Sequence, residues 1–379
     1  MNIDLLVFGE DWGSHPSSTQ HLVRHLQTDH DVLWVNSLGM RRPRFSVQDL
    51  QRAWRKSIRM FSPGATQSSA LGGTSPCVIN PRALSWPGNR FVRRLNQHLL
   101  TKHLAPITAA SNQAPLLWTS LPTAVDLVGH MNERGCIYYC GDDFSALDGV
   151  DHGPVAEMEM ELAAKSDLII TVNSQLAAKF PAEKTRILPH GVDTDLFGTP
   201  VPRAKDLPNG PVAGFYGALA AWFDQALMIE LARRLPHWTF LLIGPAKTDI
   251  RKLCAEPNII WLGPRDHSEL PRYSQHWTAG LLPFHNNAQI AACNPLKLRE
   301  YLAAGSAVVT TDFPALDGYR DQIYTGNNAE QFAAHLEHIL HTPLVKQTQQ
   351  RILRQDKVAN ESWAHRANEL RGWLCELPA

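Results

Sequence analysis

The 379-residue chain has no net charge, because 36 Lys and Arg are matched by 36 Asp and Glu. That balance argues against a partner held by bulk electrostatics, nucleic acid above all, and any basic surface must be local. No apolar run approaches the ~20 residues that span a bilayer. The opening MNIDLLVFGEDWG carries Asp4 and Glu10 and no basic leader before its short apolar run, so no signal peptide is expected. Cysteine is scarce and scattered, at 77, 136, 140, 254, 293 and 375, without the paired spacing of a zinc site. A chain this long needs no disulfide staples, and reduced thiols in a cytoplasm are the economical reading. The dinucleotide fingerprint G-x-G-x-x-G is missing from the turns after the opening strands of both halves, which disfavours an oxidoreductase.

What is present alternates. Short apolar runs at Ile3–Phe8, Asp31–Asn36, Pro115–Thr119, Cys136–Cys140 and Asp167–Val172 read as buried parallel strands. Helical patterns lie between them, including Asn89–Leu104, Pro122–Met131 and Pro154–Lys165. After residues 196–210, rich in Pro and Gly and read as a linker, the pattern restarts with strands at Val212–Tyr216, Thr239–Gly244, Ile259–Gly263 and Ala279–Phe284. Helices follow at Phe223–Leu235, Glu330–Leu340 and Trp363–Leu374. The length suits two cores rather than one. The expected architecture is α/β, with two doubly wound Rossmann-like domains facing a cleft. An N-terminal acceptor-side domain spans 1–195 and a nucleotide-binding domain 211–361, while 362–379 packs back on the first domain.

Chemistry-bearing residues gather where strands end. Gly9–Pro16, with Gly13 and His15, joins the first strand to a helix that Ser17–Thr19 can cap. Asp142 and Asp143 follow the CIYYC strand, facing a ligand or capping the next turn. Arg41–Phe61 holds seven basic residues against Asp49 alone. Leu50, Trp54, Ile58 and Phe61 recur there at helical spacing, giving a basic amphipathic helix over Val47–Phe61. It suits either a solvated helix docked on its own domain or a contact with an anionic membrane. Asn294–Asp312, NPLKLREYLAAGSAVVTTD, begins with an N-cap type at Asn294 and Pro295 at the first helical position. It stops at Gly305 and ends in a β-branched run. Lys297 and Glu300 share one face near the start of that helix, as a solvated ion pair or as a site for a diphosphate. His285 ends the preceding strand, packed or solvated rather than catalytic on its pattern alone.

The segment PLKLREYLAAGSAVVTTD resembles the P-x-K-x-x-E-Y-x-A-x-G-x-x-V-V stretch of retaining glycosyltransferases of the GT-B fold, family 4 type, common in bacterial polysaccharide and cell-envelope synthesis. YYCGDDFS, DLIITVNSQLAAKF, RILPHGVDTDLF and SWAHRANELRGWL resemble further parts of the same family. The resemblance implies transfer of a hexosyl group from a nucleoside diphosphate sugar to a glycan or polyprenyl-linked acceptor, with retention and without metal or cofactor. It places Glu300 on the donor ribose, and Asn294, Pro295, Leu296 and Arg265 around the donor. Asp142 and Lys297 take catalytic roles, while Gly13, His15 and His285 stand on loops near phosphate or acceptor. Asp193-Thr194-Asp195, formally D-x-D, lies in the family's interdomain segment and is read as no metal site. The chain departs from the family at three places: Ala292 stands for a first glutamate, Gly141 for a histidine, and Ala220, Ala221 and Trp222 for an Arg/Lys pair. A non-catalytic sugar-nucleotide-binding protein is the alternative those departures raise. A cytoplasmic protein, peripheral on the inner face of the cell membrane through Val47–Phe61, completes the expectation.

Overall fold

Most of the short apolar runs are strands buried on both faces, as helices covering a parallel sheet require. The computed structural model describes residues 3–14, 17–40, 42, 75–147 and 149–377. Its first sheet comprises β1 (Leu5–Phe8), β2 (Val32–Val35), β3 (Cys77–Ile79), β4 (Leu116–Thr119), β5 (Gly135–Cys140), β6 (Leu168–Thr171) and β7 (Thr185–Ile187), ordered β3-β2-β1-β4-β5-β6-β7. The second comprises β8 (Val212–Tyr216), β9 (Thr239–Ile243), β10 (Ile259–Trp261), β11 (Ala279–Leu282), β12 (Ala307–Thr310) and β13 (Tyr324–Thr325), ordered β10-β9-β8-β11-β12-β13. All pairings are parallel. Each sheet reverses direction of growth beside its first strand. That is the Rossmann order, whose switch point places ligands at the carboxyl ends of the first and fourth strands. The expectation of two doubly wound Rossmann-like domains is borne out.

Helix starts follow local capping chemistry. Ser17 caps α1 (Ser18–Leu26), Asn89 caps α2 (Arg90–Ala109), Asp224 caps α4 (Gln225–Arg234) and Asn328 caps α6 (Ala329–Leu340), each accepting from a backbone N–H of the first turn. α3 is His152–Lys165, α5 Leu296–Ala303, α7 Leu344–Val358 and α8 Trp363–Cys375. The helix expected over Pro122–Met131 is instead a 3₁₀ segment, Pro122–Leu127. β3, β7 and β13 have only three, three and two residues, too few to show a period. α7 buries only Arg354 and Val358, so it lacks the apolar stripe that reveals a helix in a sequence.

The chain forms two compact units, 1–189 with 366–379, and 190–365. Residues 196–210, read as a linker, are folded onto the second unit. Ala204 and Leu207 belong to its core, and Gln275 Nε2 donates to the Phe197 and Thr199 carbonyls at 2.7 Å each. Proline there stiffens a packed strap, which composition alone cannot tell from a free connection. In the first unit Arg371 of α8 donates to both carboxylate oxygens of Asp29 at 2.8 Å. The helix expected at Val47–Phe61 lies outside the described residues. No helix among the described residues is long and apolar enough to cross a membrane. The six cysteines are free.

Candidate functional site

In the second unit β8 and β9 are followed at their carboxyl ends by Gly217 and Gly244, and β10 by Leu262 and then Gly263. The Gly217 N–H donates to the Ile243 carbonyl and the Gly244 N–H to the Gly263 carbonyl, both at 2.8 Å, so the three turns extend the sheet as a shelf. Gly217 and Gly244 both have φ of 135°. A Cβ on Gly217 would collide with the Cε of Lys297, and one on Gly244 with the Gly217 carbonyl. These residues are glycine because backbone and lysine approach so closely there. Gly217→Ala is accordingly expected to destabilise the protein by about 1–3 kcal/mol and to displace Lys297. Thermal melting and nucleotide titration of the purified variant check both effects.

The end of α5 borders this shelf through Lys297. Pro295 is the flanking residue, at φ −72° and ψ 119°, and the helix proper begins at Leu296 with no side chain capping it. Asn294, the expected cap, has its carboxamide oxygen taken by the Arg299 guanidinium. Arg299 is 4% exposed, lies over the Tyr319 ring and donates from Nε to Glu361 at 2.7 Å. The Tyr319 hydroxyl donates to the same carboxylate at 2.6 Å. This buried network braces α5 and engages Asn294, and among the described residues no side chain caps the start of the helix, the arrangement that binds anions.

One turn inward, Glu300 Oε1 and His267 Nε2 are 2.8 Å apart, their side chains 12% and 11% exposed. His267 sits in a 3₁₀ turn and meets Phe197 edge-on at 5.4 Å. Burial alone would raise the Glu300 carboxyl. The hydrogen bond and charge of His267, then Lys297 and the Tyr216 hydroxyl, reverse this and hold it below its ordinary value. Lys297 lies over the Trp222 and Phe215 rings, at 5.5 and 5.9 Å, and makes no ion pair among the described residues. Desolvation lowers its pKa against the opposing pull of Glu300. Of these two, Trp222 belongs to the Ala220–Trp222 stretch that stands where the resemblance expects an Arg/Lys pair, while Phe215 lies within β8. Trp222 thus helps hold a cation from another element where the local sequence lacks one.

The remaining expected donor residues are more heavily engaged. Arg265 donates to Asp206 at 3.0 Å and to the Leu262 carbonyl at 2.9 Å, so it braces the packed strap. His285 Nδ1 is 3.4 Å from Asp224 and half-exposed. Ala292, where the family has its first glutamate, is buried after the single turn Ala288–Ala291. Asp193 accepts from the Leu196 N–H at 2.9 Å, a helix cap that accounts for the first carboxylate of the D-x-D.

In the first unit the structure separates two adjacent carboxylates. Asp143 accepts from Ser145 and pairs with Lys179 at 3.0 Å. Lys179 also pairs, at 3.0 Å, with buried Glu159, which in turn accepts from the Tyr138 hydroxyl at 2.6 Å. Despite desolvation, Ser145 and Lys179 draw the Asp143 pKa down. Asp142 is exposed and has no side-chain partner among the described residues. Asp143 is therefore the structural member of the pair and Asp142 the free one. Gly13, at φ 75°, donates to Gln20 Oε1 at 3.1 Å, and Gln20 donates to Glu10 at 2.8 Å, fixing the loop after β1. His15 lies outside the described residues.

Three comparisons bear on these geometries. Residues 210–342 match the family described as "Glycosyl transferases group 1". Over 283 residues the chain is 28% identical to the Bacillus subtilis protein named "Putative teichuronic acid biosynthesis glycosyltransferase TuaH", covering 66% of this chain and 70% of that one. Anabaena HepE, solved with UDP and glucose, superposes with a TM-score of 0.70 at 14% identity, covering 99% of this chain and all of that one. A Rickettsia africae glycosyltransferase gives 0.66 at 13% identity over 99% and 98% of the two chains. The fold is GT-B, and the comparisons support a glycosyltransferase.

Proposed function

We propose that this protein transfers a sugar from a nucleoside diphosphate sugar, bound at the start of α5, to a glycan or lipid-linked acceptor. One observation carries the reading. A buried glutamate paired with His267 lies one turn from an ammonium that has no counter-ion among the described residues, beside the uncapped start of α5. A ribose with a diphosphate suits that pairing: the diol donates to the carboxylate, and the phosphates meet the ammonium and the amides. Departure of a nucleoside diphosphate from an anomeric carbon needs stabilisation of the leaving charge above all, which Lys297 and the α5 amides are suited to supply. Retention without metal, and the family 4 type, are the finer parts of the proposal and rest on resemblance. UDP-sugars are the first donors to test, since Anabaena HepE was solved with UDP-glucose. Release of UDP and the anomeric configuration of the product, followed by NMR, test the reading. Binding without turnover across donors and acceptors would favour the non-catalytic alternative, for which Ala292 is the supporting observation.

Asp142 is assigned the acceptor side, as the free carboxylate at the end of β5. Asp142→Asn is expected to slow transfer at least tenfold while leaving donor affinity within twofold, because it removes a charge felt mainly in the transition state. Steady-state kinetics alongside donor calorimetry check it, and a wild-type rate would refute it. A cytoplasmic location and a peripheral membrane contact through Val47–Phe61 complete the proposal. They are motivated by the one-sided charge of that segment in a chain of zero net charge.

A further inference from the structure

Arg354, on α7, is 6% exposed and forms no ion pair among the described residues. Its Nη1 donates to the Gly305 carbonyl at 3.3 Å and its Nη2 to Gln350 Oε1 at 3.5 Å, both long, and Nε has no partner among the described residues. Most of the guanidinium's fork of donors is therefore unused. Burial lowers its pKa against the pull of Tyr324. α7 buries only this arginine and Val358, so the helix turns a charge inward where an aliphatic side chain would cost less. What the arginine lines is a pocket of about 240 Å³ between α7 and the amino ends of β11 and β12. Thr278 and Ser306, the residues before those strands, line it with Thr342, Gln350 and Arg351, and no acidic side chain among the described residues does.

Arg351 adds a second cation one turn away. Its aliphatic part lies where a Cβ on Gly305 would stand, and its guanidinium donates to the Gln275 carbonyl at 3.4 Å. Leu344, the first residue of α7, also borders the pocket, and no side chain caps the start of that helix. Water can hydrate the two guanidiniums but leaves their like charges, neighbours on one helix face, uncompensated. An anion with several acceptor oxygens compensates both and meets the free amides as well. We infer that this pocket binds a phosphate group, held by Arg351, Arg354 and the start of α7, at the edge of the sheet opposite the carboxyl ends that carry the candidate donor site. The inference goes beyond the donor reading and does not depend on it.

Calorimetric titration of the full chain with inorganic phosphate tests it, in a Lys297→Ala background that removes any phosphate held at the start of α5. This parent is expected to bind one phosphate and to melt higher in its presence. Arg354→Met should weaken the binding about tenfold or more through loss of charge-assisted bonds, and Arg351→Gln roughly fivefold. In phosphate-free buffer Arg354→Met should melt no lower than the parent, because it removes a buried charge that lacks a counter-ion. A merely structural arginine gives the opposite pattern, a lower melting temperature with the phosphate response kept, and that result overturns the proposal. If Arg354→Met melts lower and binds no phosphate, Arg351→Gln decides: a fivefold loss there supports the site, and undiminished affinity overturns it. Methyl phosphate separates the two sources of such a group, since tighter binding than inorganic phosphate supports an ester as the occupant and weaker binding supports the free ion. No phosphate binding by the parent overturns the proposal outright.

Discussion

Replacing Glu300 by alanine is expected to weaken nucleotide binding ten- to a hundredfold. Hydrogen bonds to a charged group contribute about 1.5–3 kcal/mol, and each 1.4 kcal/mol is a factor of ten in affinity. Glu300 is set up to make such bonds, because His267 at 2.8 Å orients it and helps keep it ionised despite burial. The same pairing predicts a pH signature in the free protein. A carboxyl held below its ordinary value stabilises the fold fully above the unfolded value, about 4.3 for glutamate, and loses that contribution as pH falls through the folded value. The melting temperature of Glu300→Gln should therefore fall less steeply on acidification than that of wild type. Calorimetric titration with UDP, with melting curves across the acid range, measures both effects. Unchanged UDP affinity in Glu300→Ala would remove the residue from the donor site.

The candidate site is legible in the sequence to the extent that its parts are consecutive. Lys297 and Glu300 lie within one turn of one helix, between a proline and a glycine that mark its ends, so their shared face follows from helical spacing alone. Their partners do not. His267 is 33 residues from Glu300, and Glu361 is 62 from Arg299. No spacing rule links such pairs, and their meeting is decided by the order in which parallel strands stack. Asn294 illustrates the cost of local reasoning: its type favours a cap, but a buried arginine five residues on claims its oxygen. Asp142 and Asp143 could not be told apart locally either, because Lys179, 36 residues beyond Asp143, selects which carboxylate is structural. The fold was the more legible part, since each buried strand announces itself as a short apolar run.

Lys297→Ala is expected to reduce affinity for a nucleoside diphosphate roughly ten- to a hundredfold while changing affinity for the nucleoside less than twofold. The difference arises because the ammonium can contact only the phosphates, through charge-assisted bonds of about 1.5–3 kcal/mol. Arginine should not rescue it. The aliphatic part of Lys297 lies where a Cβ on Gly217 would stand, and its ammonium packs on Trp222 and Phe215, leaving no room for a broader guanidinium. Desolvation has already lowered the pKa of Lys297 in the free protein. A bound diphosphate supplies the opposite charge and must raise it again, so binding takes up a proton once the pH exceeds the lowered value. Wild-type affinity for UDP should then decline as pH rises through that value, whereas affinity for uridine should not, and Lys297→Ala should abolish the difference in slope. Titrations of UDP and uridine in two buffers of different ionisation enthalpy read out the proton directly. Equal losses for nucleotide and nucleoside would show that Lys297 shapes the pocket without serving the phosphates.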